Sequence, residues 1–157
     1  MGKIKIYLDN CCFNRPYDDQ SFIKIKIETE AKIFIQTQIK EGRFHLIWSY
    51  ILDYENDSNP YANRKNSILK WKYLSEEDIE ENSDILKTVE ELEKNKIFGK
   101  DALHIACAIY SKVDFFITTD YNLIRKASSL NNLKVINPVD FINIEEEFRK
   151  WEQATRF

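Results

Sequence analysis

The stretch DALHIACAIYSKVDFFITTD, residues 101–120, decides the fold class. Residues 101–111 carry so few polar side chains that the helix they predict must be mostly buried. Phe115 to Thr118 predict a strand that ends at Thr119-Asp120. A buried helix that leads into a short apolar strand is typical of α/β proteins with a parallel sheet.

The same alternation of strands and helices extends along the rest of the chain. Strands are predicted at residues 3–8, 44–48, 115–118 and 134–136, and a loop at 11–20. Helices are predicted at 21–40, from Ser49 to before Asn59-Pro60, twice within 61–95, at 101–111, after Asp120 and after Pro138. The first helix is assigned from a stripe of apolar residues four apart, and the last from an amphipathic pattern. The stripe on the first helix consists of Ile23, Ile27, Ala31, Ile35 and Ile39. The apolar residues of the last helix are Phe141, Ile144, Phe148 and Trp151.

This pattern predicts a single domain over residues 1–157, with helices on both faces of a parallel sheet of about four to five strands. The net charge is -3, from 23 basic and 26 acidic residues, which excludes a uniformly basic nucleic-acid binder but not a local basic rim. Apolar runs are far shorter than the ~20 residues of a membrane span, and no signal-peptide block follows Met1. The three cysteines suggest no disulfide framework or zinc site, so a cytoplasmic protein with no membrane partner is expected.

Four acidic residues are the candidate site. Asp9 and Asp120 each follow an apolar strand, Asp101 opens the buried helix, and Glu55 lies about two turns into the helix after the second strand. The carboxyl ends of parallel strands meet at one edge of the sheet, where active groups lie. Two like charges 4 Å apart repel by about 4 kcal/mol at an effective dielectric constant of 20. Converging carboxylates therefore need protons or a cation, and hard oxygen donors suit Mg²⁺ or Mn²⁺.

Each acid also has an ordinary structural interpretation. Asp9 ends a strand and can cap a turn, Asp101 can interact with the helix dipole, and Asp120 can be an N-cap. Asp53 or Asp57 can replace Glu55 as the acid that faces the sheet edge.

Two further expectations concern the buried helix. Asp101 lies at its start, where the helix dipole is expected to keep the carboxylate ionised more readily than its neighbours. His104 lies one turn later, about 60° around the helix. It is interpreted as a structural or substrate-side histidine and not as a general base.

The chain resembles PIN-domain proteins, the small metal-dependent ribonucleases that include VapC-type toxins. The resemblance lies in residues 6–20, 48–57, 101–120 and 134–142. The resemblance implies a three-layer α/β/α fold and an acidic quartet of Asp9, Glu55, Asp101 and Asp120. It implies one or two Mg²⁺ or Mn²⁺ ions and hydrolysis of RNA phosphodiester bonds. It also implies a hydroxyl near the last strand, which matches Thr118 or Thr119. Many members carry a further acid where this chain has Asn122. An Asn side chain can bind a metal ion or its water through the carbonyl oxygen, but it brings no negative charge.

Other features complete the functional prediction. Arg15 and Lys100 flank the acids in sequence and are candidates for holding phosphates. RNA, an antitoxin protein and a second copy of the chain are the partners under consideration. The alternative function is a PIN-like module that binds RNA or protein without cutting, which Asn122 keeps open. A haloacid-dehalogenase mechanism is disfavoured because position 11 is Cys and not Asp.

Overall fold

Five parallel strands form one sheet in the order β3-β2-β1-β4-β5 in a computed structural model that describes residues 3–155. The strands are β1 Ile4–Leu8, β2 Phe44–Ser49, β3 Glu77–Ile79, β4 Phe115–Ile117 and β5 Lys134–Ile136. The prediction of a parallel sheet is confirmed. Strand β3 was missed, because a three-residue edge strand of sequence EDI has no apolar run that distinguishes it from a helix turn. The ends of the predicted 1–157 domain lie outside the described residues.

Helices flank the sheet and make the fold a three-layer α/β/α arrangement, in which α2 packs on α8 and α5 packs on α6. The helices are α1 Asn10–Asn14, α2 Ile23–Lys40, α3 Tyr50–Asp57, α4 Ala62–Leu74, α5 Ser83–Lys94, α6 Gly99–Tyr110, α7 Tyr121–Ala127 and α8 Pro138–Ala154. The predicted loop at 11–20 is wrong over residues 11–17, since α1 and a 3₁₀ turn at Arg15–Tyr17 occupy them. The Asp9 side chain caps α1 and starts this helix directly after β1. No helix within residues 3–155 has the length and apolar composition that crossing a membrane requires.

The strand register places the ends of β1 and β4 beside each other. Leu8 is paired with Ile117, and the Asp9 amide donates to the Ile117 carbonyl at 2.9 Å, which extends the ladder by one residue. In the same way, the Thr118 amide donates to the Ile136 carbonyl at the end of β5. The residues that follow β1 and β4 therefore share one edge of the sheet.

The core lies around the central strands and helix α6. Tyr7, Trp48 and Phe116 are fully buried, and α6 buries six residues, as its composition predicted. The predicted stripe on α2 is only partly correct, because Ile23 is 76% exposed and Ile27 is 47% exposed. Residues four apart advance about 40° around a helix, so a five-member stripe drifts by about 160° and cannot face one surface throughout. On α8, Phe141 is buried but Ile144, Phe148 and Trp151 are exposed, although a spacing of three or four residues keeps them on one side of the helix.

Lys32 on α2 is a buried cation that we expect to destabilise the protein. Its side chain is 5% exposed and lies 5.9 Å from the centre of the Phe13 ring. Burial lowers the pKa of Lys32 from 10.5 to about 8. The unfolded chain therefore binds the proton more tightly, so the free energy of unfolding rises as the pH rises from about 8 to 10.5.

Replacing Lys32 with Met is expected to raise the free energy of unfolding at pH 7 by about 3 kcal/mol, because the desolvated charge is removed. The gain should shrink at pH 10, where the wild-type amine is largely neutral. Urea unfolding at both pH values measures this. Lys26→Met, on the exposed side of α2, is the matched control and should change little. An equal gain for Lys32→Met at both pH values would contradict the account.

Candidate metal centre

A cavity of about 380 Å³ lies at the carboxyl edge of the sheet, and all four predicted acids line it. Its other lining residues are Asn10, Cys11, Asn14, Asp18, Lys100 and His104. Of the acids on α3, only Glu55 lines the cavity. Asp53 instead accepts hydrogen bonds from Trp48 and Lys72, and Asp57 lies 3.8 Å from Lys65. The structure thus places Asp9, Glu55, Asp101 and Asp120 around one space.

Asp9 is held on both carboxylate oxygens. The Oδ1 atom accepts from the Asn10 amide at 2.8 Å, and Oδ2 accepts from the Thr118 hydroxyl at 2.8 Å. The Cys11 thiol lies 3.5 Å from Oδ2 as a weaker donor. Asp9 therefore has the capping role that was its ordinary structural interpretation, and it also lines the cavity. These contacts fix the orientation of the carboxylate, since donors approach both of its oxygens.

Asp120 also has two roles. Its Oδ1 atom accepts from the Leu123 amide at 3.1 Å and caps α7, while its own amide donates to the Thr118 hydroxyl at 3.1 Å. Thr118 therefore connects Asp120 to Asp9 through a single buried oxygen. This arrangement keeps the ends of β1 and β4 in a fixed relation.

The environment of Asp101 opposes ionisation of its carboxyl group. Burial raises its pKa, and the neighbouring charges of Asp9 and Asp120 raise it further. His104 and Lys126 act in the opposite direction, but the net shift is upward. The sequence led us to expect that the helix dipole would favour the ionised form of Asp101, but burial and the like charges of Asp9 and Asp120 act against that form. A cation in the cavity would relieve both effects.

His104 lies among the acids, which sequence reasoning did not predict. Its Nε2 atom is hydrogen-bonded to the Glu55 carboxylate and lies 3.7 Å from Asp9 Oδ1. Its Nδ1 atom lies 2.6 Å from the Tyr7 hydroxyl, which lies 2.6 Å from the Ser49 hydroxyl at the N-cap of α3. Burial raises the pKa of Tyr7, so this phenol keeps its proton. The chain of contacts joins β1, which leads directly into Asp9, to α3 and α6, which carry Glu55 and Asp101.

The side chains fit a divalent cation. One ligand atom each from Asp9, Glu55 and His104 lies within 4.8 Å of the other two, whereas Asp101 and Asp120 border the cavity outside this group. The four carboxylates thus share a cavity, but they do not converge as a single tight set. Carboxylate oxygens suit Mg²⁺ and Mn²⁺, and a ring nitrogen favours a transition metal over Mg²⁺.

The predicted substrate-binding residues are placed less uniformly. Thr118 is buried against Asp9, and the Thr119 amide points to the Cys11 sulfur at 3.4 Å. Lys100 lines the cavity. The remaining two have other partners and do not line the cavity: Arg15 contacts Glu28 at 2.7 Å and Asp18 at 3.0 Å, and Asn122 accepts from Arg125 at 3.0 Å.

Comparison with known proteins yields a structural likeness only. No family model matches the chain, and no curated protein matches it. A similar solved chain comes from the crystal structure of VapBC2 from Rickettsia felis bound to a DNA fragment from their promoter. The TM-score is 0.54 at 16% identity, over 85% of this chain and 98% of that one. The architecture is PIN-like. At this identity the likeness shows the fold alone, and it agrees with the fold that the sequence predicted.

Proposed function

We propose that the protein is a Mg²⁺- or Mn²⁺-dependent endoribonuclease of the PIN-domain type. The observation that carries the proposal is the cavity that Asp9, Glu55, Asp101 and Asp120 line together. Four acids around a space of about 380 Å³ repel one another, and the charges of Asp9 and Asp120 add to the burial that raises the pKa of Asp101. A bound cation would be attracted to these carboxylates and would offset their mutual repulsion. We also propose that the protein acts on RNA in the cytoplasm.

The residues of this chain have separable roles in the proposed reaction. Asp9 and Glu55 supply oxygen ligands, and Asp101 and Asp120 add negative charge around them. Thr118 and the Asn10 amide hold Asp9 in position, and His104 does the same for Glu55. Lys100 supplies a positive charge at the cavity wall for the substrate phosphate. A bound divalent cation lowers the pKa of a water molecule and stabilises charge on the phosphate.

The binding-module alternative rested on the missing charge at Asn122. The Asn122 side chain accepts from Arg125 and does not line the cavity, so a neutral residue there removes no carboxylate from it. The likeness to VapBC2 supports a further part of the proposal, that the chain is the toxin of a toxin–antitoxin pair. Expression of the chain without its antitoxin should then arrest growth, and expression of the Asp9→Asn variant should not.

Metal titration tests the proposal against the alternative. Mn²⁺ at 100 times its Kd is expected to stabilise the folded protein by about 2.7 kcal/mol, which raises the melting temperature by roughly 5–10 °C. Removal of the ion with EDTA should reverse the shift. A melting temperature that does not respond to Mn²⁺ or Mg²⁺ would favour the non-catalytic module.

A further inference from the structure

A second cavity adjoins the metal centre and leads away from it. Its volume is about 230 Å³, and it shares Asn10, Asn14 and Glu55 with the first cavity. Its far wall is the turn between α3 and α4 together with the start of α4, where Tyr61 and Arg64 lie. The two cavities therefore adjoin at these residues, and together we call them the groove, with acids at one end and an arginine at the other.

Arg64 is a cation held by aromatic rings and not by acids. Its guanidinium carbon lies 4.0 Å from the centre of the Tyr61 ring and 4.9 Å from that of Tyr17. Within residues 3–155 the Arg64 side chain makes neither a hydrogen bond nor an ion pair, whereas Arg15 is bonded to Glu28 and Asp18. The guanidinium is thus held over the two rings by cation–π contacts while its N–H donors stay free. Such donors match the oxygens of a phosphate group.

The groove between Arg64 and the acids is lined by neutral amides. The Asn59 amide donates to Asn14 Oδ1 at 3.4 Å, and the Asn14 amide donates to the Asn10 carbonyl at 3.1 Å. These groups offer hydrogen bonds to sugar and base without adding the negative charge that repels a polyanion. Tyr61 is 56% exposed and Tyr17 is 38% exposed, so both rings retain surface for a planar group.

We propose that this groove binds the unpaired RNA strand next to the cleaved bond, with Arg64 on a backbone phosphate and Tyr61 stacked on a base. The inference rests on the proposed function and names its substrate class and a binding subsite. Stacking on a side chain requires a base that is free of its neighbours, which single strands and loops provide and a duplex does not. A protein of net charge -3 also needs a local cation to hold RNA. Arg64 thus takes the phosphate-binding role that the sequence suggested for Arg15.

Four substitutions test the subsite by fluorescence anisotropy with a labelled single-stranded RNA, in Ca²⁺ to limit cleavage. Arg64→Ala should weaken binding about tenfold and reduce the slope of log K against log salt by about 0.7, the value for one single-strand phosphate contact. Tyr61→Ala should weaken binding by roughly 5- to 100-fold, and Tyr61→Phe should restore it, because the ring and not the hydroxyl stacks. Lys70→Ala removes the same charge from an exposed position on α4 outside both cavities, and should stay near wild type.

The metal-induced rise in melting temperature separates failure of the subsite from failure of the site. Arg64→Ala should keep the full Mn²⁺ shift while losing RNA affinity. If wild type cleaves RNA and Arg64→Ala binds it no worse than Lys70→Ala does, the subsite is wrong and the proposed function stands. Duplex RNA or single-stranded DNA bound as tightly as single-stranded RNA would overturn the substrate class. If wild type neither binds nor cleaves RNA, the proposed function fails and the subsite fails with it.

Discussion

Replacing Asp9 with Asn is expected to reduce RNA cleavage by more than about 100-fold and to remove most of the Mn²⁺-induced rise in melting temperature. Loss of a group that merely supports a metal ligand costs about 10- to 100-fold, so loss of a ligand charge should cost more. The amide is nearly isosteric with the carboxylate, so the fold should be retained. Cleavage rates at several Mn²⁺ concentrations, beside melting curves with and without Mn²⁺, measure both effects.

The metal-free stability of the Asp9→Asn protein is the control for this prediction. An Asn side chain can still accept from the Asn10 amide, and Asn is an N-cap about as good as Asp. The Thr118 hydroxyl, which donates to Asp9, can rotate to accept from the new amide. The metal-free melting temperature should therefore change little. A clear loss of stability with Mn²⁺ binding intact would show that Asp9 has a purely structural role.

Replacing Asp101 with Asn is expected to have opposite effects on stability and activity. Burial and the charges of Asp9 and Asp120 raise the pKa of Asp101 above its ordinary 3.8. The folded protein binds this proton more tightly than the unfolded chain, so the stabilisation is complete below the unfolded-state pKa and is lost as the pH rises through the raised value. At pH 7 the ionised Asp101 therefore costs stability in the absence of metal.

The Asp101→Asn protein should accordingly melt higher than wild type at pH 7 without metal, yet bind Mn²⁺ more weakly and cleave RNA more slowly. Melting curves from pH 4 to pH 8 in EDTA measure the first effect, and the difference from wild type should grow with pH. Glu90→Gln removes the same charge from an exposed position and should show no such trend. A lower melting temperature for Asp101→Asn would mean that the carboxylate stabilises the metal-free fold.

Much of the scaffold could be predicted because the strong signals are local. The apolar strands that end at Asp9 and Asp120 and the buried helix after Asp101 imply a parallel sheet with acids at one edge. Strand β3 gave no such signal, since it is three residues long and lies at the sheet edge. The stripe on α2 failed for a geometric reason, because a spacing of exactly four residues drifts around the helix.

The detailed contacts within the site join segments that are distant in the chain, and such contacts cannot be predicted from a single sequence. His104 is 49 residues from Glu55, and their pairing arises only when α6 packs beside α3. Its spacing of three from Asp101 was the available signal, but that spacing is equally typical of a buried core position. Arg15 was favoured because it lies near Asp9 in sequence, whereas Arg64 reaches the groove through the turn that joins α3 to α4.

Cleavage of a panel of single-stranded and structured RNAs by the purified protein tests the central claim most directly. The account predicts products whose formation requires Mn²⁺ or Mg²⁺, stops in EDTA and resumes when the ion is restored. It also predicts that the Asp9→Asn protein, purified in parallel, leaves the same RNAs intact. Cleavage that persists in EDTA or in the Asp9→Asn protein, or a wild-type protein that binds Mn²⁺ and cuts none of the RNAs, would contradict the account.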